Sequence, residues 1–286
     1  MATLAIFNPK GGVGKTSLAL NLAFEAAQAG FRTLLWEVDE QGDSHWLLND
    51  APERPTRASP HWVPGGVDIT TLITPTRFER LSLLAADDCM RRTDNWFADM
   101  AHGQRLARLF ASMEADFDVI ILDCPPGFSD ANRTIMQFVH LVVIPTVPAP
   151  LALRGLHRVR DFLRRHRGAH PPMLPVFSMM DKRRTLHRAA AEEHPDWPVI
   201  PMRSDIERMT ERKAPLGIFA PKSASRHAYQ SLWNGIQRKM ARMRVIRSLV
   251  TGQTSAPTQM PAAPRANRPK PGSPLWPAYQ PEQRGS

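Results

Sequence analysis

Cysteine is nearly absent, with only Cys89 and Cys124 in 286 residues. This excludes a disulfide framework and suits a reducing, cytoplasmic compartment. Long hydrophobic runs are missing as well: none reaches the ~18 apolar residues that a membrane-spanning helix needs. The chain enters an apolar segment almost at once after Met1, so no signal peptide is expected ahead of it. Internal repeats are absent. What is present is a hydrophobic content of 42%, ordinary for a folded core, in a chain long enough for one large α/β domain and a tail.

Acidic and basic residues are unevenly spread. Residues 1–153 hold 12 Lys and Arg against 18 Asp and Glu, a net −6. Residues 154–250 hold 21 against 8, a net +13, and the last 36 residues hold 4 against 1, a net +3. Such a split points to a polyanionic partner for the second half, either nucleic acid or an anionic membrane surface.

The acidic half carries the chemistry. Residues 8–17 read Asn8-Pro9-Lys10-Gly11-Gly12-Val13-Gly14-Lys15-Thr16-Ser17. Three glycines let backbone N–H groups close around phosphate oxygens. Lys15 is placed to reach the β- and γ-phosphates and the Thr16 hydroxyl to ligate Mg²⁺. Pro9 stands where the strict phosphate-loop pattern has its first glycine, and Lys10 is a second lysine five residues ahead of the usual one. The context supports the motif: Thr3 to Phe7 reads as a buried strand, and Ser17 to Ala29 as a helix with Leu18, Leu22 and Ala26 on one face and Gly30 as its stop.

Further strands are expected at Arg32 to Val38, Leu81 to Ala85, Asp118 to Leu122, Leu141 to Pro145, Leu174 to Met179 and Val199-Ile200. Helices are expected at Gln104 to Ala115 (Leu106, Leu109, Phe110 and Met113 inward), Leu156 to Arg167 (Leu156, Val159 and Leu163 inward, arginines outward), and Tyr229 to Val250 (Leu232, Ile236, Met240, Met243 and Val250 on one stripe). Apolar strands alternating with helices predict a doubly wound, mostly parallel sheet covered on both faces. Phosphate loops in such sheets lie at the C-terminal strand edge. The proline-rich segment 49–66 reads as an excursion. The domain is expected over residues 1–250. Residues 251–286 follow as a tail with eight prolines after Gly252, expected to be disordered. Pro-Leu-Trp-Pro-Ala-Tyr, with Trp276 and Tyr279, is either a docking motif or simply part of that tail.

Two acidic segments complete the candidate site. Asp123 ends the run Val119-Ile120-Ile121-Leu122 and precedes Cys124-Pro125-Pro126-Gly127. A carboxylate there can hold Mg²⁺ through water, with the Pro-Pro-Gly turn as a switch segment. Asp39 ends the second strand, in Glu37-Val38-Asp39-Glu40-Gln41-Gly42-Asp43, and is the candidate to orient the attacking water or to reach the metal through water. Glu37 lies on the same side and either assists Mg²⁺ or is a buried, paired strand carboxylate.

These segments resemble the ParA/MinD group of deviant Walker-A ATPases, and within it the short ParA, Soj-like branch. Lys10 to Thr16 matches that group's signature-lysine loop. Asp39-Glu40-Gln41-Gly42-Asp43 is similar to its Asp-Pro-Gln-Gly-Asn segment, with Glu40 for the proline. Asp123-Cys124-Pro125-Pro126-Gly127 is similar to its second acidic motif. The likeness runs on through Val143-Ile144-Pro145, Met180-Asp181-Lys182-Arg183, Val199-Ile200-Pro201 with Arg203, and Ala220-Pro221-Lys222-Ser223 to Tyr229, about residues 1–245 in all. Glu37 departs from the group's aspartate.

The resemblance implies an ATP- and Mg²⁺-dependent homodimer in which Lys10 crosses to the partner's phosphates and Asp39 positions the water. It also implies non-specific DNA binding through the basic half, a ParB-like activator on a cargo, and a nucleoid-associated location. Arg183, Arg184, Arg203, Lys222 and Arg226 are the candidate DNA contacts. With the loop at residue 8, no DNA-reading domain is expected before it. Three other readings remain. One is a MinD-like membrane switch using the 232–250 helix. The second is an iron–sulfur carrier of the nitrogenase-reductase kind, for which Cys124 is poorly placed. The third is an accessory ATPase of a secretion or polysaccharide machine. The cargo itself is open.

Overall fold

A computed structural model of the chain describes residues 1–39, 41, 43–48, 69–86, 105–164 and 171–251. The strands are β1 (Ala2–Ile6), β2 (Thr33–Glu37), β3 (Thr74–Pro75), β4 (Leu81–Leu84), β5 (Val119–Asp123), β6 (Leu141–Thr146), β7 (Met173–Met180) and β8 (Val199–Pro201). They form one sheet in the order β3-β4-β2-β5-β1-β6-β7-β8. All neighbours are parallel except the short edge pair β3/β4. The helices are α1 (Lys15–Gln28), α2 (Asp43–Leu48), α3 (Arg105–Met113), α4 (Asp130–Ile135), α5 (Pro150–Arg164), α6 (Thr185–Glu193), α7 (Ser204–Arg212), α8 (Leu216–Phe219) and α9 (Ala224–Thr251), with a 3₁₀ turn at Ile69–Leu72.

Period-two alternation sorts the core into two layers. Leu4, Ile6, Leu35, Ile121, Val143 and Val176 face one side, where α1, α8 and α9 pack with Leu18, Leu22, Phe24, Leu216, Leu232, Trp233 and Ile236. Ala5, Phe7, Leu34, Trp36, Ile120, Leu122 and Ile144 face the other, against Leu109, Phe110 and Met113 of α3 and Val159, Phe162 and Leu163 of α5. The doubly wound parallel sheet expected from the sequence is the fold observed. Strand β1 is central, and the chain passes from β5 to β6 across it. This crossing creates the crevice at the C-terminal edge where α/β sheets bind ligands.

α1 is buried on almost every side, from Leu18 to Ala27. It closes on Gly30 at φ 93°. There Phe31 N–H donates to the Ala26 carbonyl and Gly30 N–H to that of Ala27, the paired bonds of a Schellman stop. α5 begins at Pro150, six residues ahead of the expected Leu156. A first-turn proline lacks only an N–H that the helix does not use, so a residue that reads as a breaker opens the helix. α2, α4, α6, α7 and α8 were not anticipated. α2 has six residues, and Met209 is the one fully buried residue of α7, so neither shows a wide apolar stripe. The 49–66 excursion and the tail from 252 lie outside the described residues, as do the side chains of Leu106 and Val250.

Candidate nucleotide-binding site

The end of β1 turns into α1 through a loop that needs glycine at two positions, Gly12 (φ 69°) and Gly14 (φ 83°). A Cβ at Gly11 or Gly12 would meet no heavy atom within 4 Å, so the loop lies open to a ligand. Gly14 is the N-cap of α1 and offers no side-chain cap. The first amides of the helix therefore point out of its positive end, an arrangement that favours phosphate.

Asn8 organises the loop. It is buried, its Nδ2 donates to the Pro145 carbonyl at 2.8 Å, and its Oδ1 accepts from Lys10 N–H at 2.9 Å. Pro9 is also tied down, since its carbonyl accepts from Gly127 N–H at 3.0 Å. That bond joins the loop to the Pro-Pro-Gly turn, which Asn132 braces through the carbonyls of Pro125 and Gly127. Sequence reasoning missed Asn8. Its signal was a polar residue at the end of an apolar strand.

The two lysines differ sharply. Lys15 is 6% exposed, and its Nζ donates to the Lys10 carbonyl at 3.3 Å, across the loop. Lys10 is exposed, and its Nζ reaches the Leu151 carbonyl at 3.5 Å. Thr16 and Ser17 follow, half-buried, in the first turn of α1.

Register brings the acids to this edge. Ile6, Asp123 and Glu37 stand level across β1, β5 and β2. β5 therefore separates β2 from β1, and Asp39 reaches the loop by way of Asp123: Val38 and Asp39 N–H donate to the Asp123 carbonyl at 2.9 and 3.2 Å. Asp123 is buried, and neither carboxylate oxygen has a hydrogen bond of normal geometry. Its pKa is pushed up to about 8, first by burial, then by Glu37 and Asp39. The Thr16 hydroxyl, close by, and Lys15 pull it down.

A buried carboxyl with two unsatisfied oxygens beside a hydroxyl fits a hard, oxygen-seeking cation. Among the described residues no cluster of three or more His, Cys, Asp or Glu could hold a metal.

Glu37 has a structural task. Its Oε1 accepts from Ser44 N–H at 2.7 Å and its Oε2 from Ala86 N–H at 3.3 Å. It anchors the start of α2 and the end of β4 to β2 as a buried, paired strand carboxylate. Asp39 is half-buried, and its Oδ1 accepts from Gln41 N–H at 3.2 Å. Cys124 is fully buried and burial pushes its thiol up, so it offers nothing to a cluster shared across subunits. Cys89 lies outside the described residues.

The five basic candidates fall at two places. Arg183, Arg184 and Arg203 follow the C-terminal ends of β7 and β8, which Met202 N–H joins through the Met180 carbonyl at 2.8 Å. Lys222 and Arg226 flank the start of α9, fastened to α7 where Ser225 Oγ donates to Asp205 at 2.7 Å. Arg184, Arg203 and Lys222 are exposed. Arg183 is exposed too, but its guanidinium forks onto Asp181 at 2.9 and 3.0 Å and holds that carboxyl down to about 2. Arg226 is turned inward, onto buried Glu25 of α1 at 2.9 Å.

A phosphate loop on a central parallel strand, with a second lysine and two strand-terminal acids, defines a mononucleotide-binding α/β protein of the deviant-loop type. Residues 1–173 match the family model AAA_31, described as an AAA domain. The sporulation initiation inhibitor protein Soj of Bacillus subtilis is 26% identical over 241 residues, 80% of this chain and 95% of Soj. The chromosome-partitioning ATPase Soj of Thermus thermophilus is 29% identical over 80% of this chain and 92% of its own. Among solved structures, the ATP complex of a McdA variant from Cyanothece superposes with TM-score 0.67 at 16% identity, over 83% of this chain and 96% of that one. MinD of Pyrococcus horikoshii with Mg-ADP gives 0.67 at 22%, over 82% and 95%. The chain belongs to the ParA/MinD family of partitioning and positioning ATPases, on its Soj-like branch.

Proposed function

We propose that the chain is an ATP-driven dimerising switch that binds DNA without sequence preference and partitions or positions a cargo, and that a cargo-side, ParB-like protein stimulates its hydrolysis. The observation that carries this reading is the placement of Lys10. Its ammonium is exposed at the mouth of the phosphate loop, and no carboxylate pairs with it among the described residues. A cation so placed is available to phosphates presented by a second copy of the chain.

The roles follow from the geometry. The open N-terminus of α1 and the amides of Gly11 to Thr16 cradle the phosphates. Lys15 is positioned to exchange the Lys10 carbonyl for phosphate oxygens. Asp123 and Thr16 would hold Mg²⁺, which when bound would neutralise charge on the phosphates. Asp39 orients the water that attacks the γ-phosphorus, and Lys10 of the second copy stabilises charge developing in the transition state. The P–O bond to ADP breaks, and the dimer loses what held it together. Arg184, Arg203 and Lys222 contact DNA phosphates, while Arg183 must first leave Asp181 and Arg226 stays with Glu25. The protein works in the cytoplasm, on the nucleoid.

No described helix is long and apolar enough to cross a membrane. The apolar stripe of α9 (Leu232, Trp233, Ile236, Met240) is spent in the core, which argues against a MinD-like lipid anchor built from it. The test is Lys10→Ala. It is expected to bind ATP as wild type in a single-site titration, yet lose dimerisation and slow hydrolysis on the order of 10²–10³-fold. Normal hydrolysis by this variant would remove the cross-subunit role.

A further inference from the structure

One strongly basic run of the chain lies apart from the five candidate DNA contacts. Between residues 154 and 167 stand six arginines and two histidines against one acid, Asp161. The described part of this run is α5. Val159, Phe162 and Leu163 seat the helix on the sheet. Arg154, His157, Arg158, Asp161 and Arg164 are exposed. At about 100° per residue, Arg154 and Arg164 fall on the side away from that buried face, with His157 and Asp161 between them, and Arg158 lies on its flank; the three arginines spread over about 15 Å of helix.

None of the three arginines has a hydrogen-bond or ion-pair partner among the described residues, and Asp161 pairs with none of them. Arg184 and Arg203 are unpaired in the same way, whereas other arginines of the chain have carboxylate partners. Arg32 takes Asp118, Arg183 takes Asp181 and Arg226 takes Glu25. Arg160, on the flank of α5 itself, takes His157 at 3.0 Å.

We propose that the outer face of α5 is a second DNA-backbone surface, on the opposite side of the sheet from α9, where Arg154, Arg158 and Arg164 contact phosphates of a duplex. The inference rests on the DNA-binding reading above and extends it to a different face. Over about 15 Å a duplex presents about nine phosphate charges, more than enough for three guanidinium groups, and arginine's planar fork matches phosphate oxygens.

Two other polyanions fit less well. Lipid-surface helices insert an apolar face, and that of α5 is already buried. Protein interfaces centre on aromatic or aliphatic anchors ringed by charge. The one exposed large apolar residue of α5 is Leu151, in its first turn.

The test uses the full chain with ATP and Mg²⁺, a random-sequence duplex, and a salt series read by fluorescence anisotropy. The triple variant Arg154→Ala, Arg158→Ala, Arg164→Ala is compared with wild type and with the triple Lys variant. Each lost phosphate contact lowers the slope of log K against log salt by about one, so the Ala triple is expected to be shallower by about 2–3 and on the order of tenfold weaker at low salt. The Lys triple is expected to keep the slope. Basal hydrolysis and the melting temperature are expected to match wild type.

An unchanged slope in the Ala triple, with Arg184→Ala and Arg203→Ala still weakening DNA binding, overturns the α5 surface and leaves the DNA reading intact. Wild type that fails to bind the duplex at low salt overturns the DNA reading itself. Pelleting with phosphatidylserine vesicles, or binding to polyglutamate, that the Ala triple loses while its DNA binding stays normal reassigns the face to lipid or to an acidic protein.

Discussion

The two halves of this molecule hold charge in opposite ways. In the nucleotide half the charges that matter are few and enclosed: Lys15, Glu37 and Asp123 are 6%, 1% and 1% exposed. Each sits where the end of a strand or helix fixes its position. In the basic half, Arg154, Arg158, Arg184, Arg203 and Lys222 stand in solvent. Enclosed charges act strongly and one by one, because low-dielectric surroundings magnify every contact. Exposed charges are screened and act as a sum. One half is therefore brittle to single substitutions, and the other is graded.

The halves are joined by enclosed polar contacts on α1. Asn21 is buried, accepts from Leu216 N–H at 3.1 Å and donates to the Met209 sulfur at 3.2 Å. One turn on, Glu25 takes Arg226. The helix that begins at the phosphate loop is thus fastened to α7, α8 and α9 by polar pins as well as by apolar packing.

The contrast can be broken most severely at Lys15. Lys15→Ala is expected to abolish measurable nucleotide binding by calorimetry, whereas Arg203→Ala leaves it untouched and lowers only DNA affinity. Equal effects of the two on nucleotide would erase the distinction between the halves.

Asp123 sharpens it through pH. With a folded pKa of about 8 against an ordinary 3.8, the folded state holds a proton that the unfolded state has lost between those values. Stability of the nucleotide-free protein then falls as pH rises, with a slope approaching about 1.4 kcal/mol per pH unit. Asp123→Asn is expected to flatten this slope, so that its melting temperature gains on wild type from about pH 5 to about pH 8. A gap that stays constant over that range would mean that the carboxyl is not held protonated. Mg²⁺ affinity of the wild type should rise over the same range, since a proton must leave before the metal binds.

The joining contacts come next. Arg226→Ala leaves Glu25 enclosed without its partner and is expected to cost about 2–3 kcal/mol in urea unfolding, with Glu25→Gln, Arg226→Ala recovering part of it. No recovery would show that the pair acts through packing alone. The smallest effect is expected at Gly217 on α8, where an added Cβ would overlap the buried Phe24 ring. Gly217→Ala should cost about 1–3 kcal/mol, and Phe24→Leu in the same chain should give some of it back.

Much of the nucleotide half was legible in the sequence, because its chemistry demands particular residues at particular spacings. Gly12 and Gly14 are where a left-handed turn requires glycine, and Val119 to Asp123 is an apolar strand ended by an acid. α7 was not legible, since its nine residues hold only two large apolar side chains, Ile206 and Met209, among charged and polar ones. Asn8 and Glu37 looked like part of the motif's surroundings, and only their distant partners give them their tasks. Arg226 and Arg203 looked alike as charges near the end of the domain. One lies against Glu25, 201 residues away in sequence, and the other lies in water.

By itself the sequence determined the strand–loop–helix unit, the two-layered core, the family and the separation of acidic from basic halves. These follow from local spacing and from alternation, which a chain carries wherever it is placed. Tertiary structure alone decided which charges are enclosed: that burial raises the pKa of Asp123, that Glu37 and Arg226 are anchors, and that Arg154, Arg158 and Arg164 are left unpaired among the described residues. The reason is physical. The free energy of a charge is set by what surrounds it, and those surroundings come from residues far away along the chain.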